Sequence, residues 1–355
     1  LSKRSTLVSF DSERCTAALL TPAGESHTIR ALRVLVTGGT GFLGSHLVER
    51  LLEEPGTEVH ALVRDPSKLR WLEGIEGIRL LTGDLHNLPA LPAGLDCVFH
   101  LAGLTKTLKA SDYYTVNRDG TANLLRALEG QSGAPRFIHL GSIAAGGPSA
   151  PRRPVCEGDP PRPVSPYGES KLMAEKEILK YKDRFPVVIL RAAAVYGPRD
   201  EDFLEAFRWI KRGILPLVGQ RRKSSSLLYV RDAVRAVLLA ARPVVPSGEV
   251  FNIADPKIYS WEDVGRTVAG LLGKKLLRVH VPLWTAYLAS AASEGIGRLG
   301  GGANALNVSK YKQMKPDNWV ADVRKARQGL GFESRFSLEE GLGETIAWYL
   351  WKGLL

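Results

Sequence analysis

Tyr167 and Lys171 stand four residues apart in Tyr167-Gly168-Glu169-Ser170-Lys171, a spacing that puts a phenol and an ammonium on one helix face, a turn apart. A nearby ammonium favours the phenolate and lowers a tyrosine pKa from about 10. A tyrosine tuned in this way can give a proton to a carbonyl oxygen or take one from an alcohol. The same spacing also arises by chance on a surface helix whose tyrosine merely packs. The surroundings argue for a site. Pro166 sits where a helix can begin without losing a hydrogen bond, and Tyr167, Lys171, Ala174, Ile178 and Tyr181 share one stripe.

Upstream, Gly38-Gly39-Thr40-Gly41-Phe42-Leu43-Gly44 can hold a pyrophosphate. Leu32, Val34, Leu35 and Val36 form a short apolar run, as expected of a strand buried on both faces, and residues 46–52 have helical spacing. In such a strand–turn–helix the glycines permit the tight turn, and backbone N–H groups reach phosphate oxygens at the helix N-terminus. Gly38, Thr40, Gly41, Phe42 and Leu43 are the expected contacts. A proton donor beside a dinucleotide loop implies hydride transfer at an alcohol or ketone.

From residue 31 to the end, the chain resembles the extended short-chain dehydrogenase/reductase family, which includes sugar-nucleotide epimerases and dehydratases. The resemblance rests on ordered motifs: residues 37–44, Gly83-Asp84-Leu85, His100-Leu101-Ala102-Gly103, Asn117 with Gly120-Thr121, Gly141-Ser142, residues 167–171 and Val195-Tyr196-Gly197-Pro198-Arg199. It implies a doubly wound parallel sheet of the Rossmann type with a smaller, interleaved C-terminal substrate domain. It also implies that Asp84, with Leu85 beside it, faces the adenine, and that Ala102 and Gly103 line the path to the nicotinamide ribose. Ser142 would bond the substrate oxygen, Tyr167 act as acid/base, and Lys171 hold the ribose, with Asn117 in the helix beneath. Ala194 and Val195 would form the wall against the nicotinamide amide, although Ala192 stands where the family commonly has proline. Each role has a plainer rival: Asp84 as a turn cap, Ser142 as a turn serine, Asn117 as a buried amide bonded to backbone.

Two departures narrow the reaction. Dehydratases of the group usually carry an acidic pair just after the catalytic hydroxyl; here Ser142 is followed by Ile143-Ala144-Ala145-Gly146-Gly147, which excludes dehydration. Sugar-nucleotide enzymes tend to place an arginine shortly before the Tyr229-Val230-x-Asp232 segment, whereas this chain has Ser224-Ser225-Ser226, with Arg221 and Arg222 close by. The pattern is similar to the dihydroflavonol-reductase and 3β-hydroxysteroid-dehydrogenase branch. The expected activity is oxidoreduction of a secondary alcohol or ketone on a fairly apolar small molecule. Sugar-nucleotide epimerisation is the alternative, and a non-catalytic, NADP-binding regulator a third reading. Cofactor choice rests on Arg64, about 20 positions beyond the glycine loop, where an NAD-type unit has a carboxylate for the ribose. A guanidinium there can bond a 2′-phosphate, so NADP(H) is expected over NAD(H), with Lys68 a second phosphate partner and Asp65 a rival favouring NAD(H).

The 355 residues carry a formal charge of +11, which attracts acidic ligands. Lys211, Arg212, Arg221, Arg222 and Lys223 concentrate part of it, as a solvated face, a substrate-phosphate site or a membrane-surface contact. No nucleic-acid module accompanies them. Cys15, Cys97 and Cys156 have unrelated spacings, suggesting free thiols in a reducing, cytoplasmic setting, and no histidine or cysteine pattern suggests a metal. No run of about 18 apolar residues predicts a membrane span; Trp284, Tyr287 and Leu288 could line a substrate pocket, pack in the core or touch a bilayer, in that order. Residues 1–30 form an extension without a secretory h-region, 31–196 the nucleotide-binding domain, and 197–355 a mainly substrate-binding part that returns to the sheet near Phe251. The family resemblance also implies a homodimer that pairs the Asn117 and Tyr167 helices; Leu124, Leu128, Leu172 and Leu179 could extend that contact, or simply pack in the core.

Overall fold

The computed structural model describes residues 32–131, 133–219, 222–300 and 308–355. The N-terminal extension with Cys15, and Arg221, lie outside the described residues.

Short runs of β-branched and aliphatic residues make the first six strands: β1 (Leu32–Thr37), β2 (Thr57–Val63), β3 (Ile78–Thr82), β4 (Cys97–His100), β5 (Arg136–Ser142) and β6 (Val187–Ala192). Between them run helices α1 (Phe42–Leu52), α2 (Ala110–Tyr113), α3 (Gly120–Glu129) and α4 (Pro166–Leu179). Then follow β7 (Ala194–Tyr196), α5 (Asp202–Lys211), β8 (Ile214–Val218), β9 (Ser224–Tyr229), α6 (Val230–Ala240) and β10 (Glu249–Ile253). The remainder comprises β11 (Ile258–Ser260), α7 (Trp261–Leu271), β12 (Leu277–Val281), α8 (Leu283–Gly300), α9 (Val308–Met314), β13 (Asn318–Trp319), α10 (Arg324–Leu330) and α11 (Leu338–Trp351).

Seven strands form one parallel sheet in the order β10-β6-β5-β4-β1-β2-β3. The chain winds outward from β1 in one direction and resumes at β4 in the other, so a crevice opens beyond the carboxyl ends of these two neighbours. Alternation along each strand separates two cores. Leu35, Val98, Phe137, Val187 and Ile189 meet Leu124, Leu128 and Ile178 of α3 and α4 on one face. Val34, Val36, Phe99, Ile138 and Val188 meet Leu47, Val48, Val234 and Val237 of α1 and α6 on the other. The return near Phe251 is β10, paired with β6. After Gly197, β9 pairs with β7, β11 and β13, while β8 and β12 form a separate parallel ribbon. No helix among the described residues is long and apolar enough to cross a membrane.

Several sequence expectations are corrected. Leu124 and Leu128 take the core reading of their two, being fully buried, so of the four leucines only Leu172 and Leu179 keep surface for a dimer contact. Helix α4 ends at Leu179, which puts Tyr181 beyond the stripe. Trp284, Tyr287 and Leu288 are exposed on α8 rather than packed in the core. The missing proline leaves β6 running through Ala192, which pairs with Ile253, before the chain resumes at β7.

Candidate active site

At the nucleotide end, Gly38 turns with φ +75°, and its carbonyl accepts the Gly41 N–H at 3.0 Å. A Cβ on Gly44 would stand 2.1 Å from that carbonyl oxygen, so any side chain there would push α1 off the loop. Gly41 precedes α1 without a side-chain cap, and the first turn holds no acidic residue. Its amides, at the positive end of the helix dipole, therefore face the crevice without a competing carboxylate, as a pyrophosphate requires. Leu43 is buried in the core, which leaves its backbone to serve; the Phe42 ring packs edge-on against His46, and Thr40 is half-buried in the turn.

Arg64 follows β2 directly and is exposed. Asp65 turns back on its own loop: its Oδ1 accepts from Ser67 N at 2.9 Å and Ser67 Oγ at 2.6 Å, and its Oδ2 pairs with Lys68 Nζ at 3.1 Å. The Ser67 bonds, with Lys68, hold its carboxyl down at about 2. Lys68 is thereby tied to Asp65. Asp84 caps a turn, its Oδ1 accepting from His86 N at 2.7 Å and Asn87 N at 2.8 Å. Leu85 packs beneath Gly120, and its carbonyl accepts Asn123 Nδ2 at 2.9 Å.

At the chemical end, Ser165 caps α4 by accepting the Gly168 N–H, with Pro166 at its first position. That fixes the phase at which Tyr167 and Lys171 project. Ser142 ends β5, where its Oγ accepts the Ala144 N–H at 3.2 Å and stands near enough to the Tyr167 hydroxyl to pull its pKa down. Lys171 Nζ donates to the Leu140 carbonyl at 3.3 Å, and a Cβ on Gly103 would come within 3.0 Å of both that ammonium and Asn117 Oδ1. The Ser142, Tyr167, Lys171, Gly103 and Asn117 positions thus converge. Ala194 is exposed and Val195 half-buried at the start of β7.

The expected lowering of the Tyr167 pKa is not found. Burial pushes the phenol up to about 12, against the opposing pull of the Ser142 hydrogen bond. Burial also lowers Lys171 to about 8, with Glu175 pulling it back up. Both groups are dehydrated, and desolvation penalises whichever form is charged. A linkage consequence follows for Lys171. Below pH 8 its charge is retained in the folded state at a cost to stability. From about 8 to 10.5 the unfolded chain binds the extra proton, so stability rises with pH. Lys171→Met should therefore be stabilising at pH 7, with the difference shrinking by pH 10, as read from urea midpoints.

A polar chain beneath the site escaped the sequence reading. Thr121 Oγ1 donates to the Asn117 carbonyl at 2.6 Å, so it accepts from His100 Nε2 at 2.9 Å. His100 Nδ1 then accepts from Thr37 Oγ1 at 2.7 Å, and Thr37 accepts the Ala102 N–H at 3.3 Å. Burial lowers His100 to about 3, which keeps it neutral in this relay of fixed tautomer. Asn117 lies in a π-helical turn (Tyr114–Asp119) between α2 and α3. Its Oδ1 accepts Leu104 N at 2.7 Å, and its Nδ2 donates to Leu104 O at 3.1 Å and Ser170 Oγ at 2.9 Å. It is a positioning residue, joining the loop after β4 to α4. The buried Glu175–Arg191 pair, with Nη2 to Oε2 at 2.7 Å, docks α4 on β6; Glu175 stands one turn beyond Lys171, a spacing the sequence does display. On the open side, the Tyr113 ring meets Tyr167 edge-on at 5.9 Å, and Lys106 and Lys310 both pair with Asp202. The basic cluster is divided: Arg222 bonds Asp263, and Lys223 donates to the carbonyls of Met314, Lys315 and Pro316. Lys223 is therefore committed to backbone rather than to a substrate phosphate.

A doubly wound sheet with a glycine phosphate loop and a converged Ser-Tyr-Lys set defines an extended short-chain dehydrogenase/reductase, an enzyme class. Residues 34–254 match the model of the NAD dependent epimerase/dehydratase family, and the chain belongs to that family. It is 29% identical over 328 residues to a ceramide reductase of Caulobacter vibrioides, covering 91% of this chain and 96% of that one. Against a 3-beta-hydroxysteroid dehydrogenase of Mycolicibacterium neoaurum it is 27% identical over 344 residues, covering 89% and 91%. The structure of a UDP-glucuronic acid 4-epimerase from Bacillus cereus, in complex with UDP-glucuronic acid and NAD, superimposes with a TM-score of 0.73 at 25% identity, covering 90% of this chain and all of that one.

Proposed function

We propose that the protein is an NADP(H)-dependent oxidoreductase that interconverts a secondary alcohol and a ketone on a fairly apolar small molecule. The observation that carries this reading is the convergence of the Ser142 hydroxyl, the neutral Tyr167 phenol and the Lys171 ammonium, followed along the chain by Ile143–Ala145, a turn without a carboxylate. The bound dinucleotide supplies or takes the hydride. Ser142 holds the substrate oxygen, Tyr167 gives it a proton in reduction, and Lys171 holds the ribose and balances the developing charge. Asn117 fixes the loop that carries Gly103 against Lys171. Likeness to the ceramide reductase and the steroid dehydrogenase supports an apolar substrate. Likeness to the UDP-glucuronic acid 4-epimerase favours a second reading, sugar-nucleotide epimerisation with retained cofactor. Purified protein supplied with NADP and apolar secondary alcohols should form reduced cofactor over many turnovers. Epimerisation of UDP-sugars without net cofactor reduction would install the second reading instead.

The NADP(H) preference rests on Arg64, with Asp65 turned away onto Ser67 and Lys68. A charge-assisted bond to a 2′-phosphate contributes about 1.5–3 kcal/mol, and the exposure of Arg64 puts the effect at the lower end. NADP(H) should bind about tenfold more tightly than NAD(H), and Arg64→Ala should erase most of the difference. Equal or tighter NAD(H) binding in a fluorescence titration of the unmodified protein would overturn this assignment. A homodimer through the Tyr167 helix remains part of the proposal, with Leu172 and Leu179 as its apolar contribution.

A further inference from the structure

Helix α8 turns an apolar stripe outward. Inward lie Ala286 and the buried Ser290, whose Oγ donates to the Ala286 carbonyl at 2.7 Å. Glu294 accepts the Val308 N–H at 3.2 Å and lies close enough to Tyr113 to raise the phenol pKa, after burial as the main cause. Outward, at four-residue spacing, stand Trp284, Leu288, Ala292 and Ile296; Trp284 and Ile296 are each 66% exposed and Leu288 55%. Tyr287, on the flank, stacks edge-on with Tyr311 of α9 at 5.4 Å. Strand β12, which leads into α8, also exposes Leu277 and Val279, alternating with the exposed Arg278 and His280. A soluble helix normally turns its apolar stripe to the core, and contiguous exposed apolar surface rimmed by polar groups marks an interaction site.

Charge identifies the occupant. From Lys274 to Lys315 the sequence holds seven Lys and Arg residues and one acidic residue, Glu294. Lys274, Lys275, Arg278, Lys312 and Lys315 are exposed. A second copy of the chain would bring these cations against themselves across a two-fold contact. An anionic phospholipid surface complements them and receives tryptophan, tyrosine and aliphatic side chains at the headgroup boundary. We propose that the outward face of α8, with β12, docks on an anionic bilayer surface without crossing it. The pairing of α8 and α9 with Tyr113 and Asp202 then sets the catalytic tyrosine just behind the docked face. The docking stands apart from the proposed reaction, since it can be measured without substrate.

The test is co-sedimentation of the full chain with phosphatidylcholine vesicles, with and without phosphatidylglycerol. The unmodified protein should pellet with the anionic vesicles and be released by added salt. Combined Trp284→Ser, Leu288→Ser and Ile296→Ser should lower partitioning at least about tenfold, and combined Lys274→Glu and Lys312→Glu should do the same. Circular dichroism and cofactor titration of both variants should match the parent. An unmodified protein that stays in the supernatant overturns the proposal, as does equal partitioning of parent and variants. A parent dimer that becomes monomeric in the triple-serine variant, by light scattering, would assign the face to a second copy instead.

Discussion

Tyr167→Phe is expected to lower turnover by about 100-fold or more, the usual scale of a positioned acid/base, while cofactor affinity stays nearly unchanged. The ring keeps its edge contact with Tyr113, so packing is preserved and only the hydroxyl is lost. That hydroxyl is protonated throughout the working range, because burial holds its pKa near 12. It can therefore donate without a preceding charge change, which the Ser142 hydroxyl, ordinarily titrating far higher, cannot match. A loss of 100-fold corresponds to about 2.7 kcal/mol of transition-state stabilisation. Lys171→Ala should weaken both cofactor binding and turnover, because the role proposed for its ammonium touches both. Steady-state kinetics with parallel cofactor titrations separate the two patterns. Near-normal turnover of Tyr167→Phe would remove the proposed chemistry.

Glu175→Ala should be the most destabilising single change in the site region, costing about 3–5 kcal/mol. Arg191 is buried, and its Nε and Nη2 reach the Glu175 carboxylate at 3.0 Å and 2.7 Å. Removing the carboxylate strands a guanidinium where water cannot compensate it. Substituting both members by apolar residues of similar volume, Glu175→Leu with Arg191→Met, should recover much of the loss, since the pair's own attraction is largely spent on its dehydration. Glu175→Gln should fall between. Urea unfolding of the set provides the measurement, and a cost below about 1 kcal/mol for Glu175→Ala would show that the pair does not dock α4 as described.

The core of the sheet was legible because its central strands are buried on both faces and read as short apolar runs: Leu32, Val34, Leu35 and Val36 all lie inside β1. Placement of Tyr167 was legible for a local reason, the proline at the first position of α4. What escaped depends on contacts distant in sequence. Nothing around Lys223 announces that carbonyls about ninety residues later will occupy its ammonium. The upward shift of Tyr167 comes from dehydration by the whole fold, which outweighs the pair spacing that suggested the opposite. The outward stripe of α8 was visible as an apolar segment, but periodicity says which residues share a face and not whether anything covers it.

The position of β10 at the edge of the main sheet sets an order on the ribosome. Strand β6 is complete at Ala192, but its outer neighbour does not emerge until Glu249–Ile253. At about 5–20 residues per second, the nascent chain therefore holds an unpaired parallel edge for several seconds. During that interval the core of α3 and α4 against the sheet can consolidate, whereas the opposite core waits for α6 (Val230–Ala240), and the exposed ladder of β6 can recruit any passing strand. The insertion that carries β7 to β9 thus sets how long the nascent nucleotide-binding sheet is open to misassembly.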